Sequence, residues 1–359
     1  MAGFNVRKEM PGVELSRDEF RKRYSERFSD PLFAPLRPEI DRILDAAWEA
    51  YSRYHKAPHT RRAGAGFADP EYQLSLDWIA ASEKIKDCER QQKDPASPSR
   101  ILLINGATRS EHTCPGETSK TWRLTTIARE IFANEPQLEV EILDLSRLAS
   151  EYGRVIYPCK TCVSTAQPLC HWPCSCYPNH ALGQVQDWMN DIYAMWAAAH
   201  GIMIVCPVNW YGPPSGLKLM IDRLVCADGG NPDPTTTHGK NAEQAKALEL
   251  DGWPYPQHLA GRVFSVVVHG DYGGTEMVQS ALSKWLRDSG LIEAGYLSQL
   301  ARTVGYMQPY ASSHDELDRD TAFQEEVRNT ARTLAQAVKL LRAGALPQPD
   351  AELSAPRKK

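Results

Sequence analysis

From Arg100 onward, short apolar runs alternate with amphipathic stretches. Helical spacing of apolar residues is found around 119–134, 182–199, 215–226 and 276–289, and again over 319–342. Since continuous apolar strands separated by helices form parallel sheets covered on both faces, the pattern predicts an α/β, doubly wound five-stranded parallel sheet. The predicted strands are Arg100–Gly106, Val140–Leu145, Gly201–Val208, Arg262–Gly270 and Ala301–Met307.

The residues before this region follow a different pattern. A polar linker rich in Pro and Ser occupies 91–99, and helical spacing predicts helices after Pro38 and over 70–85, with a loop at 55–72. These helices carry no catalytic constellation and are typical of a packing or oligomerisation arm. We therefore expect a helical N-terminal extension at 1–95, a main domain at 96–345 with an insert at 227–261, and a polar tail at 346–359.

Charge and composition exclude several classes of partner. The 359 residues carry 41 basic and 45 acidic side chains, a net charge of −4, so no basic excess indicates binding to nucleic acid or an anionic membrane. The first twenty residues have no apolar core, and the longest apolar stretch, Ile192–Val208, is short for a membrane span. A cytoplasmic protein is predicted, in which thiols stay reduced.

Three loops at the carboxyl ends of predicted strands carry the candidate chemistry, since ligands of open α/β sheets bind there. The first, "NGATRSEHTCPGETSKT" (105–121), opens a helix. Hydroxyls, a guanidinium and free amides at a helix N-terminus can bind a phosphate, although an ordinary N-cap has the same composition. The candidate phosphate ligands are Thr108, Arg109, Ser110, Thr118 and Ser119.

The second loop follows the third strand, where prolines and glycines stiffen a turn that could wall a flat heteroaromatic ring. Packing of its aromatic side chains into the core is the alternative. In the third loop, after the fourth strand, glycines let the backbone approach a ligand and Thr275 is a candidate helix cap. The candidate residues are Pro207, Val208, Asn209, Trp210, Tyr211 and Gly212, with His269, Gly270, Asp271, Tyr272 and Gly273.

A segment after the second strand, "PCKTCVSTAQPLCHWPCSCYPNH" (158–180), holds five of the nine cysteines. Four thiolates can hold an iron–sulfur cluster or zinc, and His171 and His180 would permit a mixed zinc site. Thiols without any metal are the third alternative. The candidate ligands are Cys159, Cys162, Cys170, Cys174 and Cys176.

The three loops together resemble the NADPH-dependent FMN reductase family of flavodoxin-like proteins. The most specific match is "PVNWYGPPSGLKLMIDR" (207–223), which is similar to the family's block beside the isoalloxazine ring, while "NGATRS…ETSKT" takes the place of its phosphate loop and "HGDYGG" that of its third flavin loop. The resemblance implies a flavodoxin-like fold, FMN, hydride from NADPH or NADH, and a homodimer or homotetramer. The first C-x-x-C pair partly resembles iron–sulfur flavoproteins, which implies a 4Fe–4S cluster beside FMN.

The predicted function is therefore an FMN-dependent NAD(P)H oxidoreductase that passes electrons to a quinone, a flavin or a similar small-molecule acceptor. No side-chain nucleophile is required, because the flavin carries the chemistry. Two alternatives remain open at the level of sequence: an iron–sulfur flavoprotein that carries electrons between proteins, and a flavin-sensing or scaffold protein without turnover.

Overall fold

The computed structural model describes residues 15–52, 59–112, 118–179, 182–305 and 314–347. The chain divides into two compact units, Met1–His59 with Pro178–Val185, and Thr60–Tyr177 with Gln186–Lys359. The first unit contains helices α1 (Arg17–Ser25) and α2 (Arg37–Ser52). Phe20 of α1 packs against Trp48 and Tyr51 of α2, with ring centroids 5.5 and 4.9 Å apart. The helix expected after Pro38 is confirmed, and α1 is an addition to the sequence prediction.

The second unit begins with a hairpin where the sequence predicted a loop. Strands β1 (Thr60–Arg62) and β2 (Gln73–Ser75) pair antiparallel. Because 73–75 extends to pair with β1, helix α3 begins only at Leu76, later than predicted. The helix ends at Lys93, which is also later than predicted. The domain boundary expected at residue 95 stays a prediction.

The main sheet has the predicted five parallel segments and one short addition. In spatial order, β4 (Leu138–Asp144), β3 (Ser99–Asn105), β5 (Gly201–Pro207) and β6 (Val263–Gly270) are joined by parallel ladders. The far edge of β6 pairs with β7 (Ile292–Glu293) and then β8 (Gln299–Thr303). The order and the parallel pairing confirm a flavodoxin-like doubly wound sheet.

Alternate residues of the central strand β3 face two separate cores. Ile101 and Leu103 pack with α4 (Lys120–Ala133) and α11 (Thr321–Arg342). Leu102 and Ile104 pack on the other face with α6 (Met189–Ala198), α7 (Ser215–Arg223) and α9 (Thr275–Asp288). This period-two alternation between buried faces explains why the strands read as continuous apolar runs. The other α-helices among the described residues are α5 (Arg147–Ser150), α8 (Ala242–Leu250) and α10 (His314–Arg319).

Helix α6 is shorter than the predicted 182–199. The N–H of Trp188 donates to the carbonyl of Val155 at 2.9 Å, and Asp187 Oδ1 accepts the N–H of Met189, so the helix starts at Met189. At its other end, Arg262 donates to the carbonyls of Trp196 at 2.9 Å and Ala197 at 2.7 Å. A buried guanidinium therefore satisfies the last carbonyls of the helix.

The predicted linker at 91–99 is held in place by the last helix. Arg342 near the end of α11 donates to the carbonyls of Asp94 at 3.1 Å, Pro95 at 3.0 Å and Ser97 at 2.5 Å. His200 at the start of β5 accepts the N–H of Arg100 at 3.0 Å, and its Nε2 lies 2.9 Å from the carbonyl of Gln92.

Most of the predicted tail lies outside the described residues. Within the described part of the chain, no helix has the length and apolarity of a membrane span.

Candidate functional site

The three predicted loops meet at the carboxyl edge of the sheet. Loop one (105–121) leads from β3 to α4, loop two (207–215) from β5 to α7, and loop three (269–275) from β6 to α9. His269 connects all three, since its carbonyl accepts the N–H of Val208 at 2.9 Å and its Nε2 lies 2.8 Å from Thr121 Oγ1. Each loop follows the carboxyl end of its strand, as the sequence analysis placed it, whereas the roles of the individual site residues stay predictions.

Loop one is placed by a close backbone contact and ends in a helix cap. A Cβ at Gly106 would lie 2.8 Å from Cys206 Cβ and 3.0 Å from Leu217, so only glycine lets the loop leave the sheet here. Ser119 caps α4 by accepting the N–H of Trp122 at 3.1 Å. Ser110 is buried, and Thr108, Arg109 and Thr118 are partly buried. The residues 113–117, with Cys114, lie outside the described residues.

Lys120 is a member of the site that sequence reasoning missed. Its ammonium forms an ion pair with Asp271 of loop three and donates to the carbonyl of Val304 at 3.0 Å. The lysine side chain is only 10% exposed. A basic residue in the first turn of a helix opposes the helix dipole, and this unusual placement was the available signal. Lys120 therefore brings a cation to the helix start where loops one and three meet.

Loop two presents its aromatic side chains to solvent. Asn209 and Gly212 close a tight turn by exchanging backbone hydrogen bonds of 2.9 and 3.0 Å. Trp210 and Tyr211 between them have φ values of 47° and 62°, a left-handed conformation that is costly for aromatic residues. They are 97% and 56% exposed, so the alternative in which they pack as core is wrong.

Loop three packs against loop two. A Cβ at Gly274 would lie 3.1 Å from the Tyr211 ring, and Gly274 has a φ of +97°, so the close approach depends on glycine. Gly274 is the N-cap of α9, and Thr275 occupies the first helical position without a capping hydrogen bond. The expectation that Thr275 caps the helix is therefore wrong. Tyr272 is 65% exposed at the tip of the loop.

His269 is a neutral, buried side chain at this junction. Burial, with a further contribution from the Lys120 cation, lowers its pKa to about 3. Since protonation would place a charge in the core beside a cation, the imidazole stays neutral at physiological pH. His269 therefore positions loops one and three rather than exchanging protons.

The cysteine segment lies beside the other end of α7. Arg223, the last residue of α7, donates to the carbonyl of Tyr157 at 2.8 Å, and its guanidinium lies over the Tyr177 ring at 4.9 Å. Eight residue steps of helix separate Ser215 in loop two from Arg223, which corresponds to about 12 Å of rise. The expectation that this segment lies near the flavin end of the sheet stays a prediction.

Four of its five thiols shift one another's pKa. Cys170 and Cys176 are the first two causes of the shift at Cys162, and the contact with Cys176 is the first cause that raises the pKa of Cys174. The pKa of Cys162 is raised to about 11, first by its contact with Cys170, although Cys176 lowers it, and then by burial. Cys159 is apart and accepts the N–H of Thr161 at 3.3 Å.

Two histidines, His171 and His180, were the other candidate metal ligands. Both ring nitrogens of the fully buried His171 are in use, Nδ1 with Ser175 Oγ at 2.6 Å and Nε2 with Thr237 Oγ1 at 3.0 Å. His171 is therefore not a ligand, and His180 lies outside the described residues. Among the residues that the structure describes, no three His, Cys, Asp or Glu side chains already have the arrangement of a metal site.

Several solved structures are weakly similar to this chain. RosB bound to 8-demethyl-8-formylriboflavin-5'-phosphate is 14% identical, with 73% of this chain and 91% of RosB covered and a TM-score of 0.47. An apo NADH:FMN oxidoreductase (EMOB) is 12% identical, with 71% and 99% covered and a TM-score of 0.37. A WrbA-like flavodoxin from Agrobacterium tumefaciens is 11% identical, with 68% and 98% covered and a TM-score of 0.35. These weak likenesses carry no functional argument.

Family membership rests on the sequence. No curated protein matches the chain. The model of the NADPH-dependent FMN reductase family matches residues 99–295, more than half of the chain, and this span includes the three loops. The chain therefore belongs to the NADPH-dependent FMN reductase family, and it is an FMN-dependent NAD(P)H oxidoreductase.

Proposed function

We propose that this protein passes electrons from NAD(P)H to a small planar acceptor, a quinone or a free flavin, at the junction of the three loops. The observation that carries the proposal is the group of exposed aromatic side chains there, Trp210, Tyr211 and Tyr272. Exposed aromatic area beside a stiff backbone is what a flat ring needs for stacking. An acceptor that stacks on the same wall as a nicotinamide is expected to be flat as well.

The residues of the junction fit FMN. Hydroxyls of Ser110 and Thr118, with the Arg109 guanidinium, belong to the loop that opens α4, and a phosphate dianion is stabilised by such donors and by the helix N-terminus. The glycine backbone at Gly106 and Gly274 leaves room where a Cβ would collide with its neighbours. FMN, when bound, supplies the hydride and electron chemistry.

The chain's own residues supply position and electrostatics. Pro207, Val208, Asn209 and Gly212 would hold the edge of the ring through a turn that cannot flex easily, with Trp210 and Tyr211 beside it. In loop three, the first amides of α9 would stabilise negative charge on the ring. His269 keeps loop three in register with loop two, and the Gly270 carbonyl accepts the N–H of Val304. Asp271 and Gly273 are exposed and would border the site from the solvent side.

Two measurements test this function. Purified protein should retain about one FMN per chain, and in stopped-flow experiments NADPH or NADH should bleach the flavin absorbance within seconds, with a quinone restoring it. Arg109→Ala should weaken FMN retention about 10- to 100-fold through loss of a charge-assisted bond. Arg147→Ala, which removes a half-exposed arginine that pairs with Asp144 and Glu151, is the matched control and should leave retention unchanged. Equal retention by both variants would refute the phosphate assignment.

The electron-carrier alternative is distinguished by the same traces. A carrier would bind FMN but show no reduction by either nucleotide over minutes. That alternative assigns a 4Fe–4S cluster to the cysteine segment, and its support is the gathering of thiols there. The homodimer or homotetramer that the family resemblance implies is a further proposal, which the mass in solution by light scattering would test.

A further inference from the structure

A groove lies directly beside loop one. It runs between α4 on one side and α10 with α11 on the other, and its volume is about 420 Å³. Sites for small molecules commonly have volumes of about 300–1,000 Å³ and combine apolar surface with a few polar groups. The residues that matter for its chemistry are Thr118, Trp122 and Arg123 on the first wall and Asp318, Gln324 and Arg328 on the second.

The groove begins at the loop where the FMN phosphate is expected. Thr118, a candidate phosphate ligand, lines the groove and is followed by Ser119, the N-cap of α4. Glu130 lines the groove ten residues beyond Lys120, which corresponds to about 15 Å of helix rise. A dinucleotide whose nicotinamide lies at the junction of the three loops can therefore extend its other end into this groove.

Trp122 gives the groove a flat apolar surface. It is only partly buried and is not among the residues that pack into the two cores covering the sheet. Its backbone N–H donates to Ser119 Oγ at 3.1 Å, so the residue is fixed in the first turn of α4. A tryptophan outside the core, along a groove with polar walls, is suited to stacking with a planar base.

The second wall is held in place by its own hydrogen bonds. Gln324 in the first turn of α11 donates to the carbonyls of Leu317 at 3.0 Å and Asp318 at 3.2 Å, which fixes α10 on α11. Asp318 forms an ion pair with Arg123 of the first wall. Because Arg123 neutralises the Asp318 carboxylate, this pair joins the two walls without leaving an acidic charge to repel a phosphate.

Arg328 is a weakly engaged cation on the second wall. Its side chain is 31% exposed, and its contacts are long, 3.3 Å to Glu325 Oε2 and 3.4 Å to Gln324 Oε1. Arg332 holds the same Glu325 carboxylate at 2.6 Å. One carboxylate is thus shared by two arginines, and a phosphate dianion would form stronger charge-assisted bonds with the Arg328 guanidinium than this shared carboxylate does.

We propose that the groove binds the adenosine end of NADPH, with the adenine ring on Trp122 and the 2′-phosphate on Arg328. NADH has a hydroxyl in place of that phosphate, so this contact makes the protein prefer NADPH. Glu130, the other carboxylate of the lining, is exposed, where salt and water screen its charge. The inference rests on the proposed function, since it concerns the far end of the nucleotide that reduces the flavin there.

Binding of two adenosine fragments to the FMN-loaded protein tests the site without turnover. The probes are adenosine 2′,5′-bisphosphate, which carries the phosphate that distinguishes NADPH, and adenosine 5′-monophosphate, which lacks it. Isothermal titration calorimetry should give the bisphosphate a Kd about tenfold or more below that of the monophosphate in the parent protein. Arg328→Gln should bring the two Kd values within about twofold of each other. Trp122→Leu should weaken both probes about tenfold.

Arg129→Gln is the matched control, because it replaces an exposed arginine of α4 that does not line the groove. It should leave both Kd values unchanged. Arg328→Lys keeps the charge and should retain a preference for the bisphosphate. FMN content and circular dichroism show that each variant is folded. Equal Kd values for the two probes in the parent, or equal loss of bisphosphate binding in Arg328→Gln and Arg129→Gln, would overturn the proposal.

Stopped-flow reduction separates this inference from the proposed function. NADPH should half-saturate flavin reduction at a concentration about tenfold below that of NADH, and Arg328→Gln should bring this ratio close to one without changing the limiting rate. Reduction by both nucleotides with no preference in the parent would refute the groove assignment and leave the proposed function standing. Preferential binding of the bisphosphate without flavin reduction would support the groove and refute the proposed function.

Discussion

The buried ion pair between Arg223 and Asp187 should control the stability of the cysteine side of the sheet. The two side chains are 1% and 3% exposed, and Nη2 of the arginine donates to Oδ2 of the aspartate at 2.5 Å. Arg223 also donates to the carbonyl of Tyr157, so one guanidinium connects the end of α7 to the segment that leads into the cysteines. Asp187→Asn keeps the shape of the side chain and removes its charge.

The expected loss is large because the guanidinium stays buried. Loss of a hydrogen bond between charged groups costs about 1.5–3 kcal/mol, and removal of one partner of a buried pair costs about 3–5 kcal/mol. Since the asparagine oxygen can still accept from Arg223, we expect the free energy of unfolding to fall by about 3 kcal/mol. Asp222→Asn on the same helix breaks an exposed pair with Lys218 and should cost about 0–1 kcal/mol.

Urea unfolding followed by circular dichroism at pH 7 measures both variants. A double-mutant cycle with Arg223→Met separates the pair from its surroundings, and the double variant should lose less than the sum of the single losses, because neither charge is left without its partner. A loss for Asp187→Asn within error of that for Asp222→Asn, or strictly additive losses in the cycle, would refute this account.

Three further predictions follow from the sheet and its loops. His200 is buried, and burial lowers its pKa to about 4, although the hydrogen bond to the Gln92 carbonyl acts in the opposite direction. The unfolded chain binds this proton near pH 6.5. The free energy of unfolding should therefore fall by roughly 3 kcal/mol as the pH drops from 6.5 to 4. His200→Gln should flatten that slope in urea titrations, and an unchanged slope would show that His200 does not carry it. Gly106→Ala should cost about 1–3 kcal/mol through overpacking against Cys206, while Gly273→Ala, whose Cβ would sit 3.9 Å from Tyr211, should be nearly neutral in the same assay. Lys120→Met should raise the pKa of His269 by removing the neighbouring cation, which NMR titration of the imidazole can follow, and a lowered pKa would contradict the assigned cause.

The sheet could be predicted because its strands are buried on both faces. Leu102 and Leu103 point to opposite cores, so the whole run is apolar and stands out from the amphipathic helices beside it. The hairpin at β1 could not be predicted, since "TRR" has no apolar alternation and forms a strand only through its pairing with Gln73–Ser75.

The three loops of the site could be predicted from the sequence, but the side-chain contacts between them could not. Glycine and proline mark loops two and three in the sequence, but nothing local indicates that Lys120 reaches Asp271, 151 residues away. The same limit applied to the cysteines. Spacing grouped Cys159 with Cys162, whereas Cys159 accepts the N–H of Thr161 and the pKa of Cys162 is shifted by Cys170 and Cys176. Spacing encodes neither these side-chain directions nor a long-range pair such as Lys120 with Asp271.

The contacts of Arg342 have a consequence for synthesis on the ribosome. Strand β3 is among the first parts of the sheet to emerge, yet Ile101 and Leu103 on one of its faces are covered by α11, and Arg342 at the end of that helix fastens the segment just before β3. This face cannot be fully buried until α11 has been translated, more than 200 residues after β3. The nascent chain therefore exposes a central, strongly apolar strand over that interval, and its yield in cells should depend on chaperones that shield such a strand.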